Sequence, residues 1–197
     1  MDYFLEAEAR SQGYTIVCGT DEAGRGPLAG SVYAAAVILP QGLVIDGLND
    51  SKKLTEKKRE KLFDIILRDA VSYGIAEATA KEIDELNILN AALLAMRRAI
   101  AMLEPQPDFV LVDGNQTRGF MLPARAIVKG DALSPSIAAA SILAKVSRDR
   151  SCLELDRLYP DYGFARHKGY PTKEHYEAIA KYGVTPEHRR SFRLYKD

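Results

Sequence analysis

The chain has little that would place it in a membrane or cross-link it covalently. It contains no tryptophan, two cysteines and no apolar run near the roughly 20 residues of a membrane-spanning helix. Cys18 and Cys152 do not form a CxxC pair, which favours two reduced core thiols over a disulfide or a zinc site. The N-terminal stretch MDYFLEAEAR lacks the apolar segment of a signal peptide. These absences predict a cytoplasmic protein without membrane contact.

Net charge is also absent, but the charges are unevenly distributed. The 197 residues carry 27 Lys+Arg and 27 Asp+Glu. Residues 1–117 contain 12 basic and 18 acidic side chains, whereas residues 118–197 contain 15 and 9. Such a protein would not coat nucleic acid uniformly, but it could hold metal ions in one region and a phosphate backbone in another. The length predicts one domain, 1–197, with a core at about 1–158 and a basic helical segment at about 159–197.

Hydrophobic periodicity predicts a sheet covered by helices. Short apolar or alternating runs predict strands, and apolar residues at steps of three and four predict helices. The connection between the first two strands is too short for a crossover helix, so these strands should be antiparallel neighbours. The order of elements predicts a mixed α/β sheet flanked by helices. The predicted strands are 15–20, 31–39, 71–79, 109–112 and 125–128, and the predicted helices are 54–69, 86–103, 136–158 and 173–182.

A glycine-rich stretch, GTDEAGRG at 19–26, superficially matches a phosphate-binding P-loop. Arg25 and Gly26 stand where that motif requires Lys and Ser or Thr, and a strand rather than a helix is predicted to follow. Two carboxylates inside the stretch would also repel a phosphate. These differences argue against a P-loop.

Acidic residues follow three predicted strands, each close to a glycine. Asp21 and Glu22 follow the first strand, Asp113 the fourth and Asp131 the fifth. Strand ends in an open α/β sheet can meet at one edge, where four carboxylates would repel one another unless cations bind. Mg²⁺ and Mn²⁺ prefer such oxygen ligands, and two of these ions would match a phosphodiester-cleaving site. Solvated surface turns remain the alternative interpretation.

Basic side chains are concentrated in region 129–196, which we expect to contact phosphates. The stretch RHKGY at 166–170 combines cations with an aromatic ring, as phosphate and sugar contacts require. His188, Arg189, Arg190 and Arg193 form a second cluster. The three histidines lack zinc-like spacing and are interpreted as polar contacts. Ser141 lies in an Ala-rich helix without a GxSxG motif and is interpreted as a packing residue.

Together these motifs resemble those of the type 2 ribonuclease H family, and most closely its bacterial form, ribonuclease HII. The resemblance runs from about Ile16 to Phe192, nearly the whole chain. Each motif is common alone, whereas the combination in this order is specific. The matching stretches are GTDEAGRGPLAG at 19–30, NDSKKL at 49–54, VDG at 112–114, KGD at 129–131, AAASILAKVSRDR at 138–150 and YGFARHKGY at 162–170.

The resemblance implies an RNase H-like fold, with a five-stranded mixed sheet, flanking helices and a C-terminal helical segment. It implies endonucleolytic hydrolysis of RNA in RNA–DNA hybrids, and incision on the 5′ side of single ribonucleotides in duplex DNA, leaving 3′-OH and 5′-phosphate ends. Such an enzyme would act in RNA primer and ribonucleotide removal. It would use Mn²⁺ or Mg²⁺, most simply two ions, and no small-molecule cofactor. RNA–DNA hybrid and ribonucleotide-containing duplex DNA are the implied partners of a chain expected to be a monomer.

The resemblance also implies which residues form the site. The catalytic metal ligands would be Asp21, Glu22, Asp113 and Asp131, with Asp149 of another matching motif as the alternative to Asp131. Adjacent residues on a regular strand point to opposite faces. We therefore expect Asp21 and Glu22 to share metals only if the backbone bends there.

Substrate contacts are implied for a second set of residues. Three residues of the glycine-rich loop would read the ribose 2′-OH, the group that distinguishes RNA from DNA. Tyr170 would sense the junction between a ribonucleotide and a deoxyribonucleotide. The loop residues are Gly24, Arg25 and Gly26, and the further substrate-binding residues are Lys52 and Lys168.

Two other functions are compatible with the sequence. A protein that binds RNA–DNA hybrids without cleaving them would need the basic surface but not four aligned carboxylates. Another two-metal nuclease or a transposase-type enzyme on the same fold would cleave duplexes made only of DNA. Metal titration and cleavage of these substrates would distinguish the three functions.

Overall fold

The computed structural model describes residues 1–195, so Lys196, the end of the predicted basic region, lies outside the described residues. The strands are β1 (Val17–Ala23), β2 (Val32–Ile38), β3 (Ser72–Ala78), β4 (Phe109–Asp113) and β5 (Ala124–Ile127). The helices are α1 (Phe4–Ser11), α2 (Glu56–Asp69), α3 (Ala80–Leu86), α4 (Ile88–Ala101), α5 (Pro135–Leu158), α6 (Phe164–His167) and α7 (Lys173–Tyr182).

The strands form one mixed sheet with β1 at its centre. The order is β3-β2-β1-β4-β5. β2 runs antiparallel to β1 and β3, whereas β4 runs parallel to β1 and β5. This topology confirms the predicted five-stranded mixed sheet and its antiparallel first pair. Because β1 and β4 are parallel, their C-terminal ends reach the same edge of the sheet.

Helices cover both faces of the sheet. On one face, Met96 of α4 packs with Val112 of β4 in an apolar cluster. On the other face, α5 packs with α2, where Leu143 and Phe63 share a second cluster. The start of α5 lies very close to β1, since a Cβ added to Gly19 would come within 2.3 Å of the Ile137 backbone nitrogen. Small residues at this contact therefore allow α5 to lie directly on the strand that carries the acidic residues.

The region just before α4 differs from the sequence prediction. The apolar pattern of 86–103 predicts one helix, which corresponds to α4 (Ile88–Ala101), whereas α3 (Ala80–Leu86) lies before it and was not predicted. Asn87 divides them with φ of 69°, a left-handed value that ends a helix, and its side chain caps α4 by accepting from Asn90 N at 3.1 Å. Thr55 and Thr172 cap α2 and α7, as their positions before apolar patterns predict.

Helix α1 was not predicted, and a buried carboxylate attaches it to the sheet. Glu6 is 1% exposed. Its Oε1 accepts from Ser134 Oγ at 2.6 Å, from Ser136 N at 3.2 Å and from Ser136 Oγ. These donors lie at the N-terminus of α5, where a negative charge is favourable. The contact therefore joins the chain's first helix to the helix that lies on β1.

The C-terminal segment packs against the loop between β1 and β2. Phe164 and Ile179 form an apolar cluster with Leu28 and Leu194. The basic segment thus shares a small core with the loop between β1 and β2. The predicted boundary between the core of the domain and this segment, at about residue 158, stays a prediction. In the stretch 1–195, no helix is long and apolar enough to cross a membrane. Cys18 and Cys152 are both buried and unbridged.

We predict that Glu6→Ala lowers the free energy of unfolding by about 2–4 kcal/mol, because three buried donors lose their acceptor. Urea unfolding followed by circular dichroism measures this change. The control is Glu8→Ala on the same helix, which removes an exposed ion pair with Arg125 and should cost less than about 1 kcal/mol. Equal effects of the two substitutions would show that Glu6 does not attach α1 in this way.

Candidate active site

The four predicted carboxylates are carried to one edge of the sheet. Asp21 and Glu22 lie near the end of β1, Asp113 is the last residue of β4, and Asp131 lies in a short 3₁₀ helix, Gly130–Ala132, that follows β5. The β1–β4 register ends at Thr20 opposite Val112. Asp21 and Asp113 therefore come next on adjacent parallel strands, whose backbones lie about 4.8 Å apart.

Strand β1 continues regularly through Asp21 and Glu22, so the bend on which shared metal binding was made conditional does not occur at these two residues. The ladder to β2 still pairs Glu22 with Ala34. The chain turns only at Gly24, whose φ is +100°. The Asp21 carboxylate lies beside Ser141 of α5, on one face of the sheet. Consecutive residues of a strand point to opposite faces, so the two carboxylates approach the edge from different sides.

A small recess beside α4 contains the carboxylate of Glu22. Glu22 and Asp113 line it together with Leu89 and Leu93 of α4. Asp113 lies on the strand next to Asp21 and in the same recess as Glu22. It therefore connects the acidic groups of the two faces.

Burial and mutual repulsion favour protonation of three of these carboxylates, Asp21, Glu22 and Asp131. Burial raises the pKa of Asp21 well above its usual range, and the charges of Glu22 and Asp113 raise it further. Burial raises the pKa of Glu22, an effect that Arg25 partly offsets and Asp113 reinforces. Burial and the charge of Asp113 raise the pKa of Asp131. Each of these three carboxylates interacts with Asp113, so the four form one electrostatic unit.

Protein groups hold each carboxylate in place. Within residues 1–195, no three acidic, histidine or cysteine side chains already stand in a metal-holding arrangement. The cluster nevertheless offers carboxylate oxygens only, the donors that fit Mg²⁺ and Mn²⁺. The four carboxylates already have contacts within the protein. These are Glu22 N to Asp21 Oδ1 (2.7 Å), Arg25 Nη1 to Glu22 Oε1 (3.3 Å), Gly130 N to Asp113 Oδ1 (2.7 Å) and Lys52 Nζ to Asp131 Oδ2 (3.9 Å).

A cleft of about 290 Å³ opens beside Asp21 and Glu22. Loop 24–26 and Tyr170 both line it, and a Cβ on Gly26 would lie 3.4 Å from the Tyr170 ring. The Tyr170 side of the cleft remains open to solvent, since this residue is 42% exposed. The structure thus brings the predicted 2′-OH-reading loop, the predicted junction-sensing ring and two of the carboxylates into one cleft.

The two predicted lysines lie in different surroundings. Lys52 lines the cleft with a side chain that is 79% exposed. Burial lowers its pKa, but the charges of Asp21, Asp131, Asp50 and Asp113 together raise it more, so the net shift is upward. Lys168 ends α6 with φ of 52° and a half-buried side chain. Lys52 therefore faces the carboxylates, whereas Lys168 lies in the Tyr170 loop.

Asp149, the alternative to Asp131, is engaged in ion pairs of another kind. Its carboxylate lies 2.6 Å from Lys145 Nζ and 3.6 Å from Arg59 Nη2. Arg59 belongs to α2 and Asp149 to α5. These ion pairs link two helices, whereas Asp131 interacts with Asp113.

Three residues not assigned from the sequence also line the cleft: Ser51, Ser141 and Lys145. Ser141, interpreted as a packing residue, is buried in α5 but also makes polar contacts at the cleft. Its Oγ lies 2.8 Å from Ser51 Oγ, and its hydrogen bond to Asp21 partly offsets the effect of burial on the pKa of that carboxylate. All three residues lie in the matching stretches 49–54 and 138–150, which was the available signal.

The basic cluster at 188–190 is partly buried, so its prediction as a phosphate-contacting group is wrong in part. His188 is 1% exposed and Arg189 is 0% exposed. Arg190 alone of these three is exposed. The other two histidines, His167 and His175, are buried as well. Their polar contacts are therefore made within the protein.

Comparison with known proteins identifies the fold and the family. A family model described as Ribonuclease HII matches residues 18–195. The chain is 63% identical over 178 residues to the ribonuclease HII of Acinetobacter baylyi, which covers 90% of this chain and 94% of that protein. The span matched by the family model, 18–195, contains the positions of the loop, the four carboxylates and Tyr170.

Solved structures share the architecture. The ribonuclease H2 of Pyrococcus horikoshii OT3 superposes with a TM-score of 0.75 at 30% identity, over 91% of this chain and 95% of that one. Bst-RNase HIII in complex with Mn²⁺ superposes with a TM-score of 0.62 at 16% identity, over 89% of this chain and 65% of that one, a likeness of fold alone. The fold is therefore RNase H-like, as expected, and the chain belongs to the ribonuclease HII family, whose members are ribonuclease H endonucleases.

Proposed function

We propose that this ribonuclease H endonuclease uses divalent metal ions to hydrolyse RNA in RNA–DNA hybrids and to incise on the 5′ side of single ribonucleotides in duplex DNA. The products would carry 3′-OH and 5′-phosphate ends. The observation that carries the proposal is the position of the acidic cluster. Asp21 and Glu22 open directly into the cleft that loop 24–26 and Tyr170 also line.

Asp21, Glu22, Asp113 and Asp131 would hold Mg²⁺ or Mn²⁺. When bound, such ions activate a water molecule and stabilise the leaving oxygen of a phosphodiester. The pKa values of Asp21, Glu22 and Asp131 are raised by burial and by neighbouring carboxylates, and they support this role because a bound cation would stabilise the ionised forms. The Mn²⁺ complex of Bst-RNase HIII is consistent with this chemistry on the same fold.

The cleft residues would select and orient the substrate. The backbone of loop 24–26 can approach a ribose closely because two of its residues are glycines. The Tyr170 ring lies against Gly26 and would pack on the neighbouring deoxyribose, which has no 2′-OH. Lys52, beside Asp131, would contact the phosphate near the cut. Lys168 and exposed basic residues of region 129–196 would bind phosphates farther away.

We predict that Asp21→Asn lowers turnover on a fluorescent RNA–DNA hybrid at least 10³-fold with Mg²⁺ or Mn²⁺, because a metal ligand loses its charge. Asp64→Asn, an exposed change on α2, is the matched control and should keep wild-type turnover. Near-normal turnover in Asp21→Asn would rule out the assignment.

The same substitution should raise stability in EDTA at pH 7. The folded-state pKa of Asp21 lies above the ordinary carboxylate value of 3.8, so ionisation destabilises the fold as pH rises above that value. Asp21→Asn removes this cost, and its benefit should disappear below pH about 4. Thermal melts at pH 3.5 and pH 7 measure the difference, which Asp64→Asn should not show.

We predict that Asp131→Asn and Asp149→Asn have opposite effects on turnover and on the melting temperature. Asp131→Asn should lower turnover by orders of magnitude and leave the melting temperature nearly unchanged or higher. Asp149→Asn weakens the ion pairs with Lys145 and Arg59, so it should lower the melting temperature while the folded protein keeps most activity. The reverse pattern would make Asp149 the fourth ligand.

We predict that Tyr170→Ala lowers the cleavage rate at a single ribonucleotide at least tenfold. A packing contact at one sugar can supply up to a few kcal/mol, which is enough for a loss of this size. Tyr170→Phe keeps the ring and should retain most of the rate. Calorimetry should find metal binding unchanged in both variants. If Tyr170→Ala melts early but its folded fraction cuts the single-ribonucleotide duplex at the wild-type rate, the ring serves only for packing.

A further inference from the structure

Arg189 is a fully buried cation whose side chain binds the backbone of the glycine-rich loop. Its Nη2 donates to the Gly24 carbonyl at 2.6 Å, its Nη1 to the Arg25 carbonyl at 3.0 Å and its Nε to the Gly30 carbonyl at 2.9 Å. Desolvation lowers the pKa of Arg189 to about 9, so the guanidinium remains charged at neutral pH. Three charge-assisted hydrogen bonds from one planar group determine the shape of this loop.

Backbone hydrogen bonds connect the same segment to both sides of the cleft. Arg189 N donates to the Leu28 carbonyl at 2.8 Å, and Gly30 N donates to the Glu187 carbonyl at 2.9 Å. Leu28 N in turn donates to the Gly169 carbonyl at 2.8 Å. Segment 187–189 therefore pairs with the glycine-rich loop, which pairs with the residue preceding Tyr170.

A pair of buried histidines connects this segment to Tyr170 itself. Thr185 N donates to His188 Nδ1 at 2.9 Å, so the neutral ring of His188 carries its proton on Nε2. That Nε2 lies 3.0 Å from His175 Nε2, which must accept and therefore carries its proton on Nδ1. His175 Nδ1 then donates to the Tyr170 carbonyl at 3.0 Å. The tautomers follow from one fixed donor, the Thr185 amide.

Both histidines are neutral at physiological pH, as this chain of hydrogen bonds requires. Burial lowers the pKa of His175 to about 4, with a further contribution from His167. Burial and the charge of His175 lower the pKa of His188 to about 4. Arg190 also faces His188 and lowers its pKa, whereas Glu174 raises that of His175.

We propose that Arg189, His188 and His175 are positioning residues that hold loop 24–26 and Tyr170 at the separation needed to recognise a ribonucleotide next to a deoxyribonucleotide. The inference rests on the proposed recognition roles of that loop and that ring. If loop 24–26 reads the ribose and Tyr170 packs on the next deoxyribose, cutting at a single embedded ribonucleotide requires both contacts at once. A continuous hybrid offers many positions, so imperfect alignment costs less there. Loss of the positioning residues should therefore reduce selectivity more than total activity.

The experiment compares two substrates with matched variants. Arg189→Lys keeps the buried charge but loses the three-way donor geometry. His188→Asn retains an acceptor for Thr185 N and loses the donor to His175. Arg68→Lys is the control, because Arg68 is exposed and pairs with Asp69 on α2. The kcat/KM values on a continuous hybrid and on a single-ribonucleotide duplex are normalised to the folded fraction from thermal melts.

The expected result is that Arg189→Lys and His188→Asn each lower the single-ribonucleotide value at least tenfold more than the hybrid value, while Arg68→Lys leaves the ratio unchanged. A purely structural role would lower both values equally and would overturn the inference. If one variant does not fold, the other decides.

The wild-type protein tests the proposed function separately. If it does not cut the single-ribonucleotide duplex, the incision proposal fails. The positioning role is then tested by measuring how strongly an RNA–DNA hybrid and a DNA duplex of the same sequence compete for binding to the protein. The preference for hybrid should then fall at least fivefold in Arg189→Lys and in His188→Asn. An unchanged preference would overturn the inference.

Discussion

Repulsion among carboxylates at one sheet edge is the constraint on which the rest of the structure depends. The parallel pairing of β1 with β4 places Asp21 beside Asp113, and burial raises the pKa of Asp21. Such a cluster is unfavourable for folding in the absence of a cation. The protein tolerates it because helices on both faces pack closely on the central strands, as at Gly19 under α5.

The cleft depends equally on the C-terminal segment. The sheet supplies the acidic groups, but loop 24–26 has few side-chain atoms with which to define its own shape. Hydrogen bonds from Arg189 to the loop carbonyls, together with the His188–His175 pair, hold the loop in its shape. We therefore propose two uses for the basic character of the segment: buried residues shape the cleft, and exposed ones such as Arg190 contact phosphates.

Local signals in the sequence predict the sheet, its flanking helices and the strand-end acids, whereas loop 24–26 and Tyr170 come from the resemblance and Ser51, Ser141 and Lys145 of the cleft were not assigned. The sequence does not predict that β1 extends through Asp21 and Glu22, since strand pairing with β2 overrides the polar character of those residues. Burial of Arg189 could not be predicted either, because its acceptors, the carbonyls of residues 24, 25 and 30, are remote in sequence. Helix α1 is attached through Glu6 to serines 134 and 136, a contact without a local pattern.

Calorimetric titration of Mn²⁺ into the wild-type chain and into Asp113→Asn tests most directly whether the four carboxylates form one metal site. Asp113 interacts with Asp21, Glu22 and Asp131, so we expect binding to the wild type with proton release, as ligands with raised pKa values ionise. We expect binding to be at least tenfold weaker in Asp113→Asn. Absence of Mn²⁺ binding to the wild type, or equal affinity in the variant, would contradict a shared site.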